Sequence, residues 1–390
     1  NMKKNKVSVI GLGYVGMPLM IAIKKSKKYQ VFGYDVDVNR ILSLKKERLN
    51  VSTSPDIIKD SEYVVVCVPT PVKNIKEPDL SFIISAIGTV SKYLERGQKV
   101  IVESTVNPGV CEEIVMPILE KTGFRAGKDF VLAHCPERIN PGDQRWDVFN
   151  IPRNVGATTK SDCKLVANFY RDFLKAEVNE VSSLKVAEAT KIIENTFRDI
   201  NIAYVNELAK SFDRMNIDLI EVINAASNKP FSFMAHYPGC GVGGHCIPVD
   251  PYYLIERAKK SGFDHSFLRK ARSVNNSMPA YTVSLLLERL PDINRSIKNV
   301  VVGVLGLTYK PDVADLRESA ALEIVGILKK KKAKIVRYDP YIQDFSDAKN
   351  IDEFLRKVDV IIMATYHKQF SKIKAGDLKK NEIKIVIDGR

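Results

Sequence analysis

Apolar and polar positions alternate along this chain in two rhythms. Val7-Ser-Val-Ile-Gly11 is a short apolar run closed by glycine, and it predicts a buried strand. Residues 14–25 follow with helical spacing, and Gln30-Val-Phe-Gly-Tyr34 predicts a second strand ending at Asp35. Further strands are expected at Tyr63–Val68, Lys99–Val102 and Phe130–Ala133, with helices near 38–47, 80–95 and 109–121 between them. Strand and helix in alternation imply a parallel sheet covered by helices on both faces.

The same order returns near the C-terminus. Val304-Leu-Gly306-Leu-Thr-Tyr309 echoes Ile10-Gly11-Leu-Gly13-Tyr14, and Lys334-Ile-Val-Arg-Tyr-Asp339 echoes Val31-Phe-Gly-Tyr-Asp35. Asp359–Ala364 echoes Glu62–Cys67, and Lys384–Asp388 echoes Lys99–Glu103. Any two parallel sheets share Val/Ile runs, but the shared order and the Tyr-Asp ends favour two related halves. Between them, residues 182–213 carry a helical pattern without Gly or Pro, and more helix is expected near 217–226 and 267–290. The fold class expected is α/β: two Rossmann-like doubly wound parallel-sheet domains joined by a central helical region with a long helix. The boundaries expected are 1–180, 181–292 and 293–390.

Composition narrows the class. The 390 residues are 45% hydrophobic and 27% charged, too apolar for a disordered chain. The formal charge of +14 asks whether a polyanion is the partner. The six cysteines form no CxxC pair and are too few for a disulfide scaffold, so free thiols and a reducing, cytoplasmic compartment are expected, with no metal site. No run reaches the roughly 20 apolar residues of a membrane span. Lys3, Lys4 and Lys6 before the run Val7–Ile23 imitate a signal peptide, but Gly11, Gly13 and Gly16 interrupt the run and no cleavage site follows.

Several motifs carry chemistry. Gly11-Leu-Gly13-Tyr-Val-Gly16 follows a strand, opens a helix and is answered by Asp35 at the end of the next strand. That is the dinucleotide fingerprint in its required context, and the acid favours NAD over NADP. The second copy has Thr308 and Pro311 in place of the later glycines, so it should not hold a dinucleotide that way. Val68-Pro-Thr-Pro71 and Glu103-Ser-Thr105 lie just past strand ends, where open α/β sheets bind ligands; Thr105 is either a reacting-centre hydroxyl or a helix cap. Gly239-Cys-Gly-Val-Gly-Gly-His-Cys246 is glycine-rich, with Asp250 four residues on. Cys246 there is either a nucleophile or a structural cysteine in a turn, and Cys240 is its rival. Lys191 and Asn195 share a helix face and suit a developing oxyanion, though Lys191 also fits plain surface; Glu194 and Arg198 fit a surface ion pair. Lys310, Arg317 and Arg390 follow strands of the second half, and Arg can fork onto phosphate oxygens.

Together these residues resemble the nucleotide-sugar 6-dehydrogenases, which include UDP-glucose and GDP-mannose dehydrogenases. The resemblance covers essentially the whole chain. It rests on the fingerprint, Val68-Pro-Thr-Pro71, Glu103-Ser-Thr-Val106, Pro136-Glu137-Arg138, Lys191-Ile-Ile-Glu-Asn195-Thr, Gly243-Gly-His-Cys246, Asp250, Lys310 with Arg317-Glu-Ser319, and Asp388-Gly-Arg390. It implies an NAD-dependent four-electron oxidation of a sugar C6 alcohol to a carboxylate. Cys246 would form the thiohemiacetal and thioester, Lys191 and Asn195 would stabilise oxyanions, and Asp250 would activate water or tune Lys191. Thr105 and Glu137 would organise water and protons. NAD would lie against Gly11, Gly13, Tyr14, Val15, Gly16, Asp35, Arg40, Pro69, Thr70, Thr105 and Arg317. The UDP-sugar would meet Glu137, Arg138, Lys191, Asn195, Tyr237, Gly241, Gly243, Lys310 and Arg390. The long helix implies a homodimer, with higher oligomers open.

Departures within the family point to the N-acetylhexosamine branch. The UDP-glucose branch carries a second acid where Pro141 stands and a lysine where Val249 stands. UDP-GlcNAc is the first expectation, with UDP-ManNAc, UDP-GalNAc and UDP-glucose as alternatives. A simpler hydroxy-acid dehydrogenase explains the fingerprint but not the Cys246 loop. A nucleic-acid-binding protein is motivated by charge alone, and no module or aromatic-interleaved basic stretch supports it.

Overall fold

The computed structural model describes residues 5–71, 78–139, 145–244 and 246–389. The chain folds into two units, one of residues 1–194 with 252–262 and one of 195–251 with 263–390.

In the first unit, β1 (Lys6–Ile10), β2 (Gln30–Tyr34), β3 (Val51–Ser52), β4 (Tyr63–Val66), β5 (Lys99–Val102), β6 (Val131–His134), β7 (Arg153–Ala157) and β8 (Val178–Glu180) form one sheet. Its order is β3-β2-β1-β4-β5-β6-β7-β8. All pairings are parallel except β6 with β7. Period-two alternation sends Val7, Val9, Val65 and Ile101 to one face, against Leu19, Met20 and Ile23 of α1 (Gly16–Ser26). Ile10, Val64, Val66 and Val100 go to the other, against Ile83, Ile87 and Val90 of α3 (Ser81–Ser91), which follows α2 (Val38–Lys46). Helices on both faces explain why these strands are apolar throughout.

The expected helix near 109–121 is a π-helical turn, Cys111–Val115, running into α4 (Met116–Glu120). Pro117 lacks the N–H that would reach the Glu113 carbonyl, so the ladder widens and Met116 N–H bonds the Cys111 carbonyl instead. β7 and β8, with α5 (Lys160–Arg171) between them, have no counterpart in the expected pattern. β7 opens on a charged residue, Arg153, which hides it from a search for apolar runs.

The long helix is α6 (Leu184–Met215), 32 residues, close to the expected 182–213. Near its start Glu188 accepts hydrogen bonds from the backbone N–H groups of Gly109 (2.5 Å) and Cys111 (2.8 Å). Burial nevertheless pushes its carboxyl up to about 7, the hydrogen bonds only partly offsetting it. A carboxyl raised on folding contributes stability that is complete below the ordinary glutamate value of 4.5 and is lost as pH rises through 7. Denaturant titrations at pH 5 and pH 8 should therefore differ, with a Glu188 share on the order of 3 kcal/mol. In Glu188→Gln the difference should shrink; an unchanged difference would remove Glu188 as its source.

The second unit holds α7 (Leu219–Ala226), the start of α8 (Asp250–Lys260), α9 (Ser266–Arg289) and a four-stranded parallel sheet. The strands are β9 (Val301–Leu305), β10 (Lys334–Tyr338), β11 (Val360–Met363) and β12 (Ile385–Asp388), in the order β10-β9-β11-β12. This is the order β2-β1-β4-β5 of the first unit. The repeat extends to single bonds: Gly11 N–H meets the Tyr34 carbonyl at 2.8 Å, and Gly306 N–H meets the Tyr338 carbonyl at 2.9 Å. α10 (Ala320–Lys330) packs Ile324 and Leu328 on Val302 and Val304. α11 (Ile351–Lys357) covers the opposite face through Phe354 and Leu355, and α12 (Ala375–Lys380) completes the unit. Among the described residues no helix is long and apolar enough to cross a membrane.

Candidate active site

The fingerprint turn is built as its glycines require. A Cβ on Gly16 would overlap the Gly11 carbonyl oxygen, so α1 approaches the turn only because residue 16 has no side chain. A Cβ on Gly13 would meet nothing within 4 Å, which leaves an open seat beside the turn. Val15 precedes α1, and its side chain caps none of the N–H groups at the helix N-terminus, where a pyrophosphate would sit. Tyr14 is exposed. Asp35 braces the turn by accepting from Leu12 N–H (2.8 Å) and Asp37 N–H (2.9 Å). Arg40 closes it from α2, its Nε donating to the Leu12 carbonyl at 3.0 Å. These residues fit NAD.

The second copy keeps the acid and changes its company. Asp339 is fully buried and accepts from Leu307 N–H (2.6 Å), Thr308 N–H (3.0 Å) and Tyr341 N–H (2.8 Å). His367 Nε2 completes the set at 2.9 Å, while its Nδ1 accepts from Asp312 N–H at 2.9 Å. With His367 over it, Asp339 offers nothing to a ribose, as the altered glycines anticipate.

At the sheet edge of the first unit, exposed Pro69 precedes Thr70, whose hydroxyl donates to the Thr105 carbonyl at 2.7 Å. Tyr253 Oη also donates to the Thr70 carbonyl. Thr105 is thus tied to the 68–71 loop through its backbone and is half-buried. Glu137 turns inward: Oε1 accepts from Arg138 N–H and Ile139 N–H, both at 2.6 Å, and Oε2 lies 2.9 Å from Arg153 Nη2. Arg138 pairs with Glu194 of α6, Nη2 to Oε1 at 2.7 Å. That corrects the expected Glu194–Arg198 surface pair, because Arg138 reaches Glu194 from a neighbouring loop that helix spacing cannot reveal. Lys191 is buried on α6, not a plain surface lysine.

In the second unit, Cys246 is the one cysteine of the six that is not buried; Cys240 is buried against Gly389, its thiol 3.6 Å from the Gly389 carbonyl. The Cys246 carbonyl accepts from Val249 N–H (3.0 Å) and Asp250 N–H (2.9 Å), which forms the turn leading from the cysteine into α8. Asp250 is buried and takes a 2.5 Å hydrogen bond from Asn195 Nδ2. Gly244 has φ +87° and its N–H bonds the Arg317 carbonyl at 3.0 Å. A Cβ there would press on the Tyr309 ring at 2.8 Å, and one on Gly243 would meet Tyr309 Cβ at 2.6 Å. Gly241 packs beside Ala320 and Pro279. Burial lifts the Tyr309 phenol, with Asp315 and Cys246 adding to the effect, so Tyr309 faces the loop that carries the thiol.

Arg317 is held by Asp315, Nη2 to Oδ2 at 2.6 Å, and Lys310 is half-buried one residue after Tyr309. Exposed Tyr237 donates to Asn224 Oδ1 at 2.9 Å. Pro141, His245 and Arg390 lie outside the described residues. Sequence reading missed Arg153, Tyr170 and Tyr309, none of which stands at a spacing that signals a role. Among the described residues no group of His, Cys, Asp and Glu is placed to hold a metal.

Known proteins match the chain over nearly its whole length. The chain matches the UDP-glucose/GDP-mannose dehydrogenase family in three segments: the NAD binding domain over residues 5–53 and 43–174, the central domain over 185–277, and the UDP binding domain over 303–390. It is 38% identical to a UDP-N-acetyl-D-glucosamine 6-dehydrogenase of Pseudomonas aeruginosa, covering 97% of this chain and 94% of that one. It is 35% identical to a UDP-N-acetyl-D-mannosamine dehydrogenase of Pyrococcus horikoshii, covering 99% and 95%. The solved structure of the P. horikoshii UDP-D-ManNAc dehydrogenase superposes with a TM-score of 0.92 over 99% of this chain and 95% of that one, at 35% identity. With the fingerprint, the repeated sheet and all three segments in order, this chain belongs to the UDP-glucose/GDP-mannose dehydrogenase family.

Proposed function

We propose that this protein is an NAD-dependent UDP-N-acetylhexosamine 6-dehydrogenase and that UDP-GlcNAc is its substrate. The observation that carries the reading is the unburied Cys246 thiol in a glycine-rich loop, next to the Asn195–Asp250 pair. Bound NAD supplies a two-electron acceptor, used twice, so alcohol, water and two NAD become carboxylate, two NADH and three protons. Cys246 Sγ adds to C6 once it is an aldehyde, and the resulting thiohemiacetal is held covalently for its own oxidation to a thioester. Water then adds to C6, the C–S bond breaks and the thiol is regenerated. Lys191 and Asn195 stabilise the oxygen charge at C6 in each step, and Asp250 orients Asn195 and helps activate the water. Thr105 and Glu137 order the water and protons.

The residues 293–390 hold the UDP, with Lys310 and Arg390 on the substrate and Arg317 towards the NAD pyrophosphate. Residues 1–180 hold NAD, and 181–292 carry the dimer contact. Exposed Ile193, Phe197 and Tyr204 on α6 support a homodimer through that helix. Five buried free thiols suit a reducing compartment, which supports a cytoplasmic enzyme. Pro141 and Val249, with the 38% identity to a relative named for the glucosamine sugar, support UDP-GlcNAc.

The test is a panel of UDP-GlcNAc, UDP-ManNAc, UDP-GalNAc and UDP-glucose with NAD. UDP-GlcNAc should give the highest kcat/KM and two NADH per sugar consumed. A mannosamine or galactosamine optimum would reassign the epimer, and no NADH with any UDP-sugar would reject the activity.

A further inference from the structure

Behind Glu137 stands a charged cluster that the chemistry above does not use. Arg153, the first residue of β7, is fully buried. Its Nη1 lies 3.2 Å from Glu103 Oε2 and its Nη2 lies 2.9 Å from Glu137 Oε2. On the far side Tyr170 of α5, also fully buried, donates to Glu103 Oε1 at 2.5 Å, and its ring stacks under the guanidinium at 5.8 Å. Four elements thus converge: the ends of β5 and β6, the start of β7, and α5.

The arrangement is a poor one for stability alone. One guanidinium faces two carboxylates away from the protein surface, and well-packed apolar side chains serve a core as well or better. The excess negative charge is visible in Glu103, whose carboxyl is pushed up by burial and by Glu137 while Arg153 opposes. The thiols of Cys67 and Cys135, the other titratable groups facing the cluster, are pushed up by the same burial and hold no charge to balance it. Arg153 Nε and Nη2 make no directed hydrogen bond, so the fork acts on Glu137 through charge and place.

We infer that Arg153 is a positioning residue for Glu137, and that its guanidinium, braced by Glu103 and Tyr170, sets where the Glu137 carboxylate points and the charge around it. Oε1 of Glu137 is held by two backbone N–H groups, and Oε2 faces the Arg153 guanidinium at 2.9 Å, so backbone bonds set one side of the carboxylate and charge the other. Glu103 and Arg153 act on it with opposite signs. The inference rests on the reading of Glu137 as an organiser of water and protons.

The experiment uses the full-length enzyme with NAD and its best UDP-sugar. Arg153→Lys keeps the charge but cannot span both carboxylates. It should lower kcat about tenfold or more while both KM values stay within about twofold. Tyr170→Phe removes one hydroxyl and keeps the packing; it should shift the pH profile of kcat by about half a unit or more, with KM unchanged. Wild-type kcat and pH profile in folded Arg153→Lys and Tyr170→Phe would overturn the inference. If Arg153→Lys does not fold, the Tyr170→Phe profile alone decides. Glu137→Gln separates the two readings: a lowered kcat there with no effect in the other variants rejects the role of Arg153. Wild-type kcat in Glu137→Gln rejects the role of Glu137 itself.

Discussion

Cys246→Ala should abolish carboxylate formation, by about 10³-fold or more, while leaving NAD binding intact. The thiol is the one nucleophilic sulfur among the six cysteines that is not buried. Burial pushes the Cys67, Cys111 and Cys135 thiols far up, so none of these replaces it as a thiolate. Without the sulfur there is no covalent hold on the aldehyde and no thioester, although the first hydride can still leave C6. The variant should therefore release at most one NADH per sugar, with aldehyde trapped by hydrazine and no uronate by chromatography. The NAD fingerprint belongs to the other unit, and calorimetric NAD affinity should match the wild type. Uronate formed within tenfold of the wild-type rate would remove Cys246 as the nucleophile. Cys240 is not a substitute, because it is packed on Gly389, where even a Cβ would collide with its sulfur.

Gly16→Val and Gly13→Ala should both lose NAD, and for different reasons. At Gly16 any Cβ overlaps the Gly11 carbonyl and comes within 3.1 Å of the Cys67 side chain, so α1 must move off the turn. Overpacking of this kind costs about 1–3 kcal/mol, and the melting temperature should fall with it. At Gly13 the protein leaves open space, so Gly13→Ala should melt like the wild type. Its methyl group occupies the seat where the pyrophosphate would approach. In both variants NAD affinity should fall about 100-fold, near 2.7 kcal/mol. Calorimetry of NAD binding beside thermal melts distinguishes the two. Wild-type affinity in Gly13→Ala would show that the open seat is not where the phosphates lie.

Much of the first unit was legible because its signals are local. The strand before Gly11, the helix after Gly16 and Asp35 at the next strand end lie within 30 residues of one another, and backbone geometry dictates each choice. The repeat was legible for the same reason, since apolar runs and Tyr-Asp ends survive as text. Cys246 stood out through its glycines, but position in the chain left Cys240 as a rival. Burial separated them. What escaped was long-range. Glu194 pairs with Arg138, 56 residues away, and not with its helical neighbour Arg198. Arg153 meets Glu103 from 50 residues away and has no periodicity to announce it.

By itself, then, the sequence determined the class of chain: two α/β halves, one dinucleotide turn, a long helix, and a thiol in a glycine-rich loop. Those follow from φ/ψ limits, side-chain period and the absence of Cβ at particular glycines, all of which act within a few residues. Only the tertiary structure decided which cysteine escapes burial, that Asp339 is closed by His367, and that Glu137 points into a buried ionic cluster. Those depend on desolvation and on partners brought together by the sheet, and no local pattern encodes either.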